Sequence, residues 1–74
     1  MNSDEVKRRL REGDELEIDT GGGAFRVWAE PFASPPAVYY EGMRYDLKDL
    51  DSVVEKILEQ LQVEKVRARW VEDD

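Results

Sequence analysis

The sequence predicts a single α+β domain, residues 1–74, in the order α-β-β-β-β-α-β. Its sheet is expected to be five-stranded and mostly antiparallel, with strand order 5-1-2-3-4 and the long helix packed on one face. Three observations predict this. Short segments alternate apolar and polar residues with the period of a half-buried strand. One segment, at about 50–62, repeats its apolar residues at helical spacing. The glycines and prolines fall between these segments, where turns are needed.

The chain opens with a short helix. Ser3 can cap it, with Asp4 and Glu5 near its positive end and Lys7, Arg8, Arg9 and Arg11 further along. Val6 and Leu10 lie four apart and share a face, and Gly13 is a natural stop. So thin an apolar stripe places this helix at the edge of the core.

Residues 14–20 alternate, with Leu16, Ile18 and Thr20 on one side and Glu15, Glu17 and Asp19 on the other. Residues 24–30 alternate too, with Phe25, Val27 and Ala29 against Ala24, Arg26, Trp28 and Glu30. Gly21, Gly22 and Gly23 join them into a hairpin. A two-residue turn at Gly21-Gly22 sets Ile18 against Phe25, Leu16 against Val27 and Glu17 against Arg26. A three-residue turn would set Ile18 against Arg26, so the two-residue turn is the one that keeps one face apolar. Two glycines suit a type I′ turn.

Pro31, Pro35 and Pro36 stiffen the next loop, residues 31–37. Residues 38–40 and 43–45 then flank a Glu41-Gly42 turn. Val38, Tyr40, Met43 and Tyr45 share the inner face of this second hairpin, and Tyr39 and Arg44 point outward. Leu47, Leu50, Val54, Ile57, Leu58 and Leu61 carry the helical repeat. Ser52 with Glu55 fits a capping box, and Asp49 or Asp51 could cap instead. Residues 64–71 alternate again, with Val66, Ala68 and Trp70 inward and Lys65, Arg67 and Arg69 outward, before the acidic end Glu72-Asp73-Asp74. Placing this last strand beside the first sets Arg67 and Arg69 across from Glu15, Glu17 and Asp19. Opposite charges across strands contribute about 0.2–1 kcal/mol per pair.

Composition excludes more functions than it suggests. The 74 residues hold no histidine and no cysteine, which removes the usual proton shuttle, the strongest nucleophile and the commonest zinc ligands. A chain this short buries only roughly 60% of its unfolded surface and has little volume for a cleft. An enzyme is not expected, and neither is a cofactor or a metal. Gly21-Gly22-Gly23 leads into a strand and lacks the Gly-Lys-Ser/Thr of a phosphate loop, so it reads as a turn. Asp46, Asp49, Asp51 and Glu55 gather at a helix start but lack calcium-loop spacing, and they read as capping and dipole compensation. No apolar run approaches the ~18 residues of a membrane span. The expected compartment is the cytoplasm, with no membrane partner.

Eighteen acids against eleven bases give a formal charge of −7. That suits solubility and opposes general polyanion binding. The leading expectation is a non-catalytic protein-interaction or regulatory module. Two surfaces motivate it. Trp28, Tyr39 and Arg44 fall side by side on the outer sheet face, and these residue types are enriched at binding hot spots. Asp51, Glu55 and Glu59 repeat one turn apart on the exposed side of the long helix, an acidic row that fits a basic partner or salt adaptation. The first helix or a second copy of the chain are other candidates to cover Trp28, so a homodimer is a further expectation. The alternative function is nucleic-acid-related: direct binding through Lys7, Arg8, Arg9 and Arg11, or an acidic decoy of nucleic acid. No RNA-recognition or zinc-finger motif accompanies that basic cluster.

Overall fold

The computed structural model describes residues 1–63 and 66–72. Lys65 of the expected last strand, with Asp73 and Asp74, lies outside them. The elements are α1 (Ser3–Arg11), β1 (Glu15–Asp19), β2 (Ala24–Glu30), β3 (Ala37–Tyr40), β4 (Met43–Asp46), a 3-10 turn (Leu47–Asp49), α2 (Leu50–Val63) and β5 (Arg67–Val71). The strands form one sheet in the order β4-β3-β2-β1-β5, which is the expected order read from the other edge. Every neighbouring pair is antiparallel.

The registers follow the patterning. In the first hairpin Ile18 pairs with Phe25, Leu16 with Val27 and Glu17 with Arg26. On the other side of β1, Glu17 pairs with Arg69 and Asp19 with Arg67. Alternation then sends Leu16, Ile18, Val27, Ala29, Val38 and Tyr40 to one face, where all are buried. One detail differs. Gly21 has φ +87° but Gly22 is not in the left-handed region, so this turn has the type II′ pattern rather than type I′. The second turn is the one with two positive φ values, at Glu41 (52°) and Gly42 (76°).

Both helices lie on the inner face. The core joins Val6 and Leu10 of α1 to Leu50, Val53, Val54 and Ile57 of α2 and to the inward strand residues. α1 packs against α2, β1 and β2. α2 reaches the second hairpin, where the Tyr40 hydroxyl donates to Gln60 Oε1 at 2.6 Å. Lys7 of α1 and Asp51 of α2 meet at 3.3 Å across the top of the helix pair.

Four expectations are corrected here. α1 is not at the edge of the core, because Val6 and Leu10 are wholly buried. Two residues suffice because they fill the space beside α2 over β1 and β2. Its cap is Asn2, whose side chain accepts from the Glu5 N–H at 2.8 Å, and Ser3 is already helical. The second helical segment starts in the 3-10 turn. Asp46 caps that turn by accepting from the Lys48 N–H at 3.0 Å, so Ser52 lies two residues inside α2 and caps nothing. Met43 belongs to the inner face by parity but is 61% exposed, because β4 is an edge strand and the core ends before it.

If α1 is part of the core, Leu10→Ala leaves a cavity beneath it and lowers the unfolding free energy by about 2–4 kcal/mol in a urea titration. A loss as small as that of a surface substitution would return α1 to the edge.

Candidate functional site

β2 positions the central residue of the site. Its first half, Ala24–Val27, pairs with β1, and its second half, Trp28–Glu30, pairs with β3. Trp28 begins the second half and faces away from both helices. Directly across from it is Tyr39, and across from Tyr39 is Arg44. The two rings stack, with centroids 4.8 Å apart and planes 12° from parallel. Such a pair contributes about 0.5–1.5 kcal/mol beyond its burial. It forms a flat aromatic step on a half-buried ledge.

The surroundings of the step carry both signs of charge. Arg26 Nη1 lies 3.2 Å from Glu15 Oε2, and Arg69 Nη2 lies 2.7 Å from Glu17 Oε2. Arg26 thus bonds diagonally, not to the Glu17 directly opposite it. The outer face is a patchwork of neutralised pairs around two rings, with no one-signed field.

Arg44 also has a structural contact that the sequence does not reveal. Its guanidinium donates to the Pro35 carbonyl at 2.7 Å and ties down the β2–β3 loop. The Leu47 N–H donates to the Pro36 carbonyl at 3.1 Å, and the Ala33 N–H closes a turn on the Glu30 carbonyl at 3.3 Å. Three hydrogen bonds therefore hold a loop of six residues. Phe32 occupies the turn and is 99% exposed. The prolines predict a stiff loop but do not by themselves single out Phe32. A large aromatic set between Pro31 and Pro35, with no alternating pattern to bury it, was the available clue.

The other named residues do not join this face. Asp51, Glu55 and Glu59 are exposed on α2, on the opposite side of the molecule from Trp28. The six residues expected to bind a partner form two separate surfaces. The acidic row is also interrupted at its start, where Lys7 meets Asp51.

The basic cluster is drawn into local contacts. Lys7 sits between Asp4 (3.8 Å) and Asp51 (3.3 Å), and Arg8 pairs with Glu12 at 3.2 Å. Arg9 is partly buried. It donates to Asp14 at 2.9 Å and lies 4.2 Å over the ring of Trp70. α1 therefore covers Trp70, on the inner face, and leaves Trp28 open. Among the described residues the buried Trp70 indole N–H has no hydrogen-bond partner, a desolvation cost set against the packing of the ring. Arg11 has no ion-pair partner among the described residues.

The described residues contain no group of three or more carboxylates placed to share a metal ion. A shallow cleft of about 320 Å³ opens between α2 and the second hairpin. Within it Gln60 links the Tyr40 hydroxyl to Glu41. No described helix is long and apolar enough to cross a membrane. No protein-family model, curated protein or solved structure matches the chain.

The two tryptophans supply a direct check of this assignment of faces. In Trp70→Phe, acrylamide quenches the remaining Trp28 emission more strongly than it quenches Trp70 emission in Trp28→Phe. Equal quenching of the two would mean that something covers the outer face.

Proposed function

We propose that the protein is a non-catalytic interaction module that docks a basic protein on the outer face of its sheet. The observation that carries this reading is the stacked Trp28–Tyr39 step on a face that neither helix covers. Aromatic rings of this kind are enriched at binding hot spots and present area at low entropic cost. They also accept a guanidinium or ammonium on their faces. The net charge of −7 draws a basic partner at long range, while the neutralised Arg26 and Arg69 leave the step itself approachable. Phe32, held at the end of the same hairpin, adds a rigid apolar contact at the margin.

Affinity capture with quantitative mass spectrometry tests this, comparing variants side by side. Trp28→Ala and Tyr39→Ala each remove the proteins retained by the wild type, and Glu55→Lys with Glu59→Lys retains them. Phe32→Ser weakens retention without abolishing it. Identical protein sets for wild type and Trp28→Ala would overturn the reading. Retention lost only with the α2 variants would move the site to the acidic row.

A further inference from the structure

We infer that a second copy of this chain pairs with the free edge of β4, antiparallel about a two-fold axis through Tyr45, to make one continuous ten-stranded sheet. The inference does not rest on the docking step, because Trp28 and Tyr39 take no part in it, although the Arg44 and Asp46 side chains that set its register stand on the same side of the sheet.

The backbone of β4 sets which residues can pair. The turn at Glu41-Gly42 closes on Tyr40 and Met43, and in a two-residue hairpin that pair exchanges backbone hydrogen bonds. Bonding alternates along the ladder, so Tyr45 bonds toward β3 and so does Leu47, whose N–H donates to Pro36. The N–H and C=O groups of Arg44 and Asp46 point the other way, to the open edge. In an antiparallel self-pairing, Arg44 can meet the second copy's Arg44, Asp46 can meet the second copy's Asp46, or Arg44 can meet the second copy's Asp46. The first two oppose like charges, which disfavours them. The third opposes unlike charges twice, by symmetry, and bonds all four open backbone groups of the two residues.

That register also uses what the monomer leaves wet. Met43, 61% exposed, comes beside the second copy's Leu47, and the two Tyr45 rings adjoin at the axis on the inner side. Val63, 71% exposed, belongs to the same end of the inner face, beside Tyr40 and Tyr45. The other edge is guarded differently. β5 carries Arg67 and Arg69 on one side, so its centred self-pairing would oppose two copies of Arg69. Charges of this kind are a common guard against edge pairing, and β4 carries no matching row.

Pairing through four residues is a small interface, and −7 on each copy opposes it at long range. The dimer therefore belongs with transient associations that bury less than about 1,200 Å².

Sedimentation equilibrium of the full chain, from micromolar to millimolar, is the test. The wild type shows a reversible monomer–dimer equilibrium. Arg44→Asp and Asp46→Arg each weaken it about tenfold, because each sets like charges at both contacts. An equimolar mixture of the two variants associates at least as tightly as the wild type, because every contact then opposes unlike charges again. Circular dichroism establishes that each variant is folded. Should Asp46→Arg fail to fold, Asp46→Asn keeps an oxygen for the Lys48 N–H, and it also weakens the wild-type association. A wild type that stays monomeric at millimolar concentration overturns the inference. So does a dimer indifferent to these substitutions, or a mixture no tighter than its components.

Discussion

Burial on one side of one sheet is the constraint from which the other features follow. Leu16, Ile18, Val27 and Val38 need a cover, and α2 alone spans only part of the area they occupy. α1 completes the cover with Val6 and Leu10, two side chains each worth about 1.5–3 kcal/mol when fully buried. The chain has no cysteine for a disulfide, so burial beneath the two helices carries the closing of its core. Both helices are committed to the inner face, and neither remains to cover the outer one.

An uncovered face must tolerate water, and the outer residues show how this is arranged. Glu15, Glu17, Arg26 and Arg69 form cross-strand pairs, which are modest in energy at such exposure but remove like-charge contacts. Trp28 and Tyr39 are the departure from this pattern. Each ring shields one face of the other, so the pair costs less exposed apolar area than two separate rings. Arg44, beside them, is occupied by the loop that carries Phe32. The same division into faces explains α1. Arg9 stacks over Trp70 because the helix lies on the inner side, and Lys7 and Arg8 find acids within a turn or on α2.

Much of the sheet was legible because strand patterning carries two independent constraints. Alternation assigns Ile18 and Phe25 to one side, and the charges of Glu17, Arg26 and Arg69 then admit one register. The depth of α1 was not legible. A stripe of two residues looks the same at an edge and beneath a neighbouring helix, and only the position of α2 decides between them. The caps were misread because Asn2 and Ser3, or Asp46 and Ser52, are all acceptable cap residues, and the chain's entry path selects one. The surfaces were legible one at a time. Periodicity places Trp28 outward and Glu55 outward, but it carries no information on whether two outward directions are the same. Contacts made by long side chains across loops, such as Arg44 to Pro35, leave no periodic trace at all.

Solvent paramagnetic relaxation, with a neutral gadolinium chelate and backbone and side-chain assignments, reports the two faces of each strand separately. The account predicts a sharp alternation along β1 and β2. Side-chain signals of Glu17, Arg26 and Trp28 broaden strongly, while those of Leu16, Ile18 and Val27 remain protected together with Val6 and Leu10. Protection of Val6 and Leu10 that falls to the level of Arg26, or equal broadening on both sides of β2, would contradict a sheet closed by two helices on one face and open on the other.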